Sequence, residues 1–400
     1  MKIFIVGAKR TAVGSMLGGL KSLPASELGA IVVRQLLADT SISASVIDEV
    51  IVGNVLSAGQ GQGVGRQVAI KAGIPDTVPA YAVSMVCGSG LKAISNAYAQ
   101  IKAGLANCII AGGAESMSRA PMLIPCSVRT GTKMGDFNIV DHMIFDALTD
   151  AYSGVHMGIT AENIAKKHNI TRKMQDDFAY QSQQKAIKAV DGGVFDKEIV
   201  PITIKEKKSE YVFARDEHPN RTSTPEKLAN LRPAFDKAGS VTAGNASGIN
   251  DGAAFVMVAS EQAVKEYNLT PLVEIVSVGQ GGVDPQVMGL GPVPAIRQVL
   301  KNANMTLDQM ELIELNEAFA AQSLGVIAEL VEEHKIDRTK LMSRTNINGG
   351  AIALGHPVGA SGSRILVTLI YELLSSDKQV GLASLCIGGG MGEAMIVKKI

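Results

Sequence analysis

At 400 residues, with 46% hydrophobic and 19% charged content, the chain is long enough for two or three domains and a sizeable buried interior, which excludes disorder and small stapled scaffolds. Lys plus Arg and Asp plus Glu both total 38, so no global field draws nucleic acid or an anionic membrane, and any anionic ligand must be held by local charges. Glycine is high at 42 residues beside 4% aromatics, which points to tight backbone approaches in an α/β protein.

In chain order, residues 1–7 enter a short apolar strand with no signal or transit pattern, and no run approaches the ~18 apolar residues of a membrane span. A soluble cytoplasmic protein is expected. Cys87, Cys108, Cys126 and Cys386 show no paired short spacing, so neither a disulfide framework nor a metal site is expected. The apolar run 80–86 ends at Cys87, followed by Gly88-Ser89-Gly90 and helical spacing over 91–104. Residues 108–116 read as a buried strand turning at glycines. Residues 118–247 carry more charge and more proline, with a long polar helical stretch over 160–190 and a basic cluster, Lys205, Lys207 and Lys208, beside Glu206 and Glu210 that reads as a solvated loop. Residues 244–260 then close into another buried strand.

The remainder repeats the beginning. RQLLADTSISASVIDEVIVGN (34–54) aligns with RQVLKNANMTLDQMELIELN (297–316) through one gap, IFIVGAKR (3–10) with VEIVSVGQ (273–280), and AVSMVCGSG (82–90) with RTNINGGAI (344–352). Two related halves follow, each alternating strands and helices as in sheets covered by helices. The expected division is 1–117 plus 248–270 for the first half, 118–247 as an inserted domain, and 271–400 for the second half.

Taken alone, Cys87 is more readily a buried core thiol than a nucleophile, but glycines directly after it and a helix N-terminus favour a stabilised thiolate. His356 sits in a Gly-rich stretch, residues 348–357, closed by Pro357 and too glycine-rich for a regular helix. Cys386 precedes Gly388-Gly389-Gly390 at a strand end, where a low-pKa environment suits a base toward a weakly acidic C–H. Asn316 ends a β-run at the position of Asn54 in the first half, either a turn former or a group that orients water or a substrate oxygen. Gly59, Gly61, Gly63 and Gly65 alternate at every second position and do not form a dinucleotide fingerprint.

Cys87-Gly-Ser-Gly, Asn316-Glu-Ala-Phe, Gly355-His-Pro and Cys386-Ile-Gly-Gly-Gly-Met-Gly, in that order over essentially the whole chain, resemble the motifs of the thiolase family. The resemblance implies an α/β fold of two similar halves in five αβαβα layers with an inserted loop domain. It implies a Claisen condensation of two acetyl-CoA to acetoacetyl-CoA and CoA. Cys87 carries the acyl group, His356 takes its proton, and Cys386 removes a proton from C2 of the second acetyl-CoA. One oxyanion pocket uses His356 with a water held by Asn316, and the other the N–H groups of Cys87 and Gly388. No metal or redox cofactor is implied.

By the same resemblance, His156-Met157-Gly158 is similar to the loop of the short-chain branch. Met157, Met288, Phe235 and Phe319 wall a small acyl pocket, and Ala318 is a further residue of the substrate and CoA site. Ser247 contacts pantetheine, Arg221 lies near the nucleotide end, and Leu148, His156 and Ala243 line the CoA channel. A homotetramer, a dimer of dimers, is implied. The rivals are a broader-chain degradative thiolase, a decarboxylating ketoacyl synthase, which the second cysteine disfavours, and a silent lipid-carrier homologue.

Overall fold

The strand β1 (Ile3–Thr11) is buried along both faces, and its alternation assigns each face: Ile3, Ile5 and Ala8 join a central apolar cluster, Phe4 and Val6 an outer one. A computed structural model describes residues 1–205 and 209–400. Glu206, Lys207 and Lys208 of the basic cluster lie outside the described residues. The first half continues with α1 (Ala25–Thr40), β2 (Glu49–Gly53), α2 (Val64–Ala72), β3 (Ala80–Val83), α3 (Ser89–Lys102) and β4 (Cys108–Ser116). After the inserted region, with α4 (Met157–Lys167) and α5 (Arg172–Asp191), it closes with β5 (Asn250–Ser260). The second half holds β6 (Val273–Gly282), α6 (Pro292–Ala303), β7 (Leu312–Leu315), α7 (Ala320–His334), α8 (Ala351–Leu354), α9 (Ser361–Leu374), β8 (Val380–Ile387) and β9 (Met391–Lys399).

The first half's strands lie in the order β3-β2-β4-β5-β1 and the second half's in the order β7-β8-β9-β6. A parallel bridge from Ile313 in β7 to Thr345 stands in the place of a third strand. The two halves therefore share one topology. Their first strands even carry register shifts at matching places, between Ile5 and Gly7 in β1 and between Ile275 and Ser277 in β6, where the repeat aligns Val6 with Val276. The third strand is short in the second half because a side chain does its work: Asn346, at φ 46°, accepts from Leu315 N and donates to Leu315 O, each at 2.8 Å.

Among the described residues, the ladder between the two sheets pairs Phe4 with Glu274 and Ile5 with Val273. What joins the halves is the layer between them, since α3 and α9 pack on each other and on strands of both sheets. Along α9, Ile365, Leu366, Leu369, Ile370 and Leu373 repeat at helical spacing and join Leu91, Ile94, Ala97 and Ile101 of α3 in the central cluster. Helices α1 and α2 cover the outer face of the first sheet, and α6 covers the second, giving a mixed α/β architecture in five layers. The glycines of α3 and α9 matter here. A Cβ on Gly90 would stand 3.0 Å from Gly359 O, and one on Gly362 2.7 Å from Leu91 N, so the two helix starts touch backbone to backbone.

Two local expectations change. The polar stretch 160–190 is broken between α4 and α5, where Asn169 takes φ 53°. Residues 351–354 of the glycine-rich stretch do form one helical turn, α8, held between Gly350 in extended geometry and Gly355 at φ 99°. Among the described residues, no helix is long and apolar enough to cross a membrane.

Candidate active site

Cys87 occupies the turn from β3 into α3, directly before the cap residue Gly88. Val86 takes φ 44°, a left-handed conformation uncommon for a β-branched residue. Ser89 holds it there, accepting from Met85 N at 2.8 Å and donating to Val86 O at 2.7 Å. The same turn explains why the thiolate expected at this helix start is not found. The amides of Gly88 and Ser89 already bond Met85 O and Val86 O, and burial pushes the Cys87 thiol up to about 11. Against that, the N–H groups of Gly388 and of Cys87 itself point at its sulfur. A base is needed to generate the nucleophile.

His356 follows α8 and lies under the first half's strand ends, 6% exposed. Its Nδ1 lies 2.5 Å from Ser361 Oγ, whose own proton goes to Pro357 O at 2.9 Å. Ser361 Oγ therefore accepts, Nδ1 carries the hydrogen, and Nε2 keeps a free lone pair. Nε2 is buried with no protein partner. Burial, and after it the Arg364 guanidinium, holds the imidazole down at about 4, so at neutral pH it is an unprotonated base.

Cys386 is fully buried near the end of β8. Burial first, then the neighbouring Cys87, raises its thiol well above the ordinary range, so a base role here cannot come from a low-pKa setting. Asn316 follows β7 and is likewise fully buried, with neither Oδ1 nor Nδ2 bonded to protein. Leaving such groups unpaired costs roughly 1–3 kcal/mol each, a cost that a folding role does not explain. Gly388 faces Val86 and Met157, whose Sδ would lie 3.7 Å from an added Cβ.

Met157, Met288, Ala318, Phe319 and Cys386 belong to one buried cluster, with Phe235 packed on it. His156 stacks on Phe235 at 4.4 Å between ring centroids, and Phe235 meets Phe319 edge-on at 6.3 Å. Leu148 and Cys87 both pack on a neighbouring cluster that includes Val358 and Met143. Ser247 donates its N–H to Ala318 O at 2.9 Å, and Ala246 bridges Phe319. Ala243 and Arg221 line a cleft of about 880 Å³ together with His218 and Lys227. The Arg221 guanidinium is held bidentately by Asp191 at 2.7 and 2.8 Å, with both side chains about half exposed. Sequence reading missed Ser361, the partner that fixes the His356 tautomer, and Lys227, one of the cleft's cations. Neither stands in a motif, and both are recognisable only through their neighbours in space.

With this geometry in place the comparisons are decisive. A model of the thiolase N-terminal domain matches residues 3–262, and one of the thiolase C-terminal domain matches residues 269–399. The chain belongs to the thiolase family. It is 52% identical to an acetyl-CoA acetyltransferase of Syntrophomonas wolfei over 100% of this chain and 99% of that protein. Against an Escherichia coli acetyl-CoA acetyltransferase it is 50% identical over 99% and 98%. Among solved thiolase structures, human mitochondrial 3-ketoacyl-CoA thiolase superposes with a TM-score of 0.94 at 43% identity, covering 100% of this chain and 99% of that one.

Proposed function

We propose that this thiolase is an acetyl-CoA C-acetyltransferase, condensing two acetyl-CoA to acetoacetyl-CoA and CoA through an S-acetyl Cys87. The observation that carries this reading is the proximity of two thiols, the half-buried Cys87 and the buried Cys386, with the Gly388 amide pointing at the Cys87 sulfur and Met157, Met288 and Phe319 in the cluster around Cys386. Each proton has a place. His356 Nε2 takes the Cys87 proton, the Cys87 sulfur attacks the thioester carbonyl, and the N–H groups of Cys87 and Gly388 receive the developing oxyanion. The departing CoA thiolate takes the proton of Cys386, which becomes the base that removes a proton from C2 of the second acetyl-CoA. The same burial that raises the Cys386 thiol makes its thiolate a strong base. The enolate oxygen lies toward His356, now carrying hydrogen on Nε2, and toward a water on Asn316. The carbanion attacks the acyl carbon, and Cys87 leaves as a thiolate and recovers its proton from His356. The chemistry asks for no metal or redox cofactor.

In this reading Ser247, Leu148, His156 and Ala243 line the pantetheine channel, while Arg221 and Lys227 serve the nucleotide end. The inserted domain, 118–247, supplies most of this channel between a first half of 1–117 plus 248–270 and a second of 271–400. A homotetramer in the cytoplasm is proposed with it. It is supported by a two-stranded arm, Met122–Leu123 paired with Val140–Asp141, that leaves Met134, Phe137, Ile139 and Phe145 exposed. A broader-chain degradative thiolase is the second reading, favoured by the likeness to the human 3-ketoacyl-CoA enzyme. A chain-length series of 3-ketoacyl-CoA substrates decides: kcat/KM falling steeply beyond four carbons supports the acetyl reading, and a flat series overturns it. Mass spectrometry after acetyl-CoA should find the acetyl group on Cys87, and its absence there would rule out covalent catalysis by this residue.

A further inference from the structure

His356 belongs to the second half and Cys87 to the first, so proton transfer between them depends on what fixes one half's turn against the other. Around this junction the packing is mostly glycine backbone: a Cβ on Gly113 would stand 2.1 Å from Gly359 O, and one on Gly53 2.5 Å from Gly90 N. Backbone contact of this kind sets a distance but gives little lateral hold. Two side chains from adjacent strands of the first half supply that hold. Asn250, at the start of β5, accepts the His356 N–H at 2.8 Å and donates to Gly14 O at 2.9 Å. Glu115, near the end of β4, accepts the Gly359 N–H at 3.0 Å. In the β4–β5 ladder Glu115 pairs with Gly252, so the two anchors are neighbours gripping the start and the end of one four-residue turn.

Glu115 is wholly buried and its carboxylate is saturated. Besides Gly359 it accepts from Val55 N at 2.9 Å, Leu56 N at 3.2 Å and Asn54 Nδ2 at 2.9 Å. It thereby ties the loop after β2 to the turn carrying His356. We infer that Glu115 is a positioning residue for the proposed acyl transfer, holding the His356 turn at the distance and orientation from Cys87 that the proton transfer requires. Burial pushes this carboxyl up to about 7 while the amides of Val55, Leu56 and Gly359 pull it down. Two carboxyl oxygens facing four N–H donors are not replaced by the amide isostere, because Gln presents N–H to N–H. The inference rests on the reading that His356 deprotonates Cys87.

The test follows alkylation of Cys87 by iodoacetamide against pH in the full-length enzyme, with acetyl exchange between acetyl-CoA and CoA measured in parallel. Glu115→Gln is expected to move the half-maximal pH of alkylation upward by about 1 pH unit. It should lower kcat for exchange on the order of 10²-fold, the cost of an ångström-scale misplacement, with KM for acetyl-CoA unchanged within about twofold. Glu115→Asp keeps the charge on a shorter arm and should fall between wild type and Gln. If Glu115→Gln does not accumulate as folded enzyme, the Asp variant carries the test in the same direction. An unmoved alkylation midpoint in either folded variant overturns the inference, as does a loss seen in KM alone. His356→Ala separates the two levels: if it too leaves the midpoint unmoved, the reading of His356 as base has failed; if it moves the midpoint and Glu115→Gln does not, only the Glu115 inference has failed.

Discussion

Each half of the chain ends its second strand in an asparagine, and the two asparagines are used in opposite ways. In the first half Asn54 follows Gly53, which pairs with Gly113 of β4, so Glu115 two residues on faces the same side. Asn54 Nδ2 donates to Ala114 O at 3.0 Å and to Glu115. In the second half Asn316 follows Leu315, which pairs with Ser384 of β8, and the residue two positions on is Cys386. A thiol stands where the first half has a carboxylate. Cys386 gives the Asn316 amide no partner, and this end of the second sheet is left with unsatisfied polar groups beside a buried thiol. The comparison teaches that one strand-end geometry is filled with hydrogen bonds that brace the fold in one copy and, in the other, leaves its amide unpaired, as the proposed substrate contact requires.

The most severe way to probe that asymmetry removes the first half's own contribution to the site. Cys87→Ala is expected to abolish both acetyl exchange and condensation, a loss beyond about 10⁴-fold, measured by exchange of labelled CoA and by acetoacetyl-CoA formation. Cys386→Ala should still acetylate Cys87, slowed about tenfold because the departing CoA loses its proton donor, and yet lose condensation by about 10³-fold or more; equal loss of both half-reactions would show that the thiol is not the C2 base.

The asparagines give the sharpest contrast. Asn316→Ala is expected to lower condensation about 10²-fold, the scale of one lost oxyanion donor, with stability unchanged or raised because an unpaired buried amide disappears. Asn54→Ala should cost about 2 kcal/mol of stability by removing bonds to a buried carboxylate, seen as a lower denaturation midpoint, with less than tenfold effect on kcat. Equal profiles for the two variants would erase the distinction drawn here.

The smallest effect is a pH slope. His356 sits at about 4 against an ordinary 6.5, so between those values the unfolded chain binds more protons than the folded one. Stability from this group is therefore complete above pH 6.5 and declines as pH falls toward 4, by about 3 kcal/mol in all. Denaturant titrations of His356→Gln should show that much less acid sensitivity than wild type over the same range. An identical slope would mean that His356 titrates in the folded enzyme as it does in the unfolded chain.

The sequence made the repeat and the four motifs visible because both are local patterns, strand and helix periodicity on the one hand and glycine-bounded reactive residues on the other. Cys87, His356, Cys386 and Asn316 could be singled out from such patterns. Ser361 and Asn250, which hold His356, could not be, since their value comes from hydrogen bonds to residues made adjacent only by folding. Glu115 is 244 residues from the Gly359 amide it accepts. The thiolate expected at Cys87 failed for a related reason: a helix start looks electropositive in sequence, but here its first amides are already bonded within the turn, and burial dominates.

The α3–α9 layer has a consequence for how such a molecule is assembled at all. Each of these helices presents its apolar face to its counterpart, and the seam between the sheets amounts to two residue pairs. A half-length chain would therefore expose one whole helix face to water, and the matching face lies on the other half. The smallest unit that hides this surface is a pair, and joining the pair into one polypeptide is what frees its two strand ends to carry different residues.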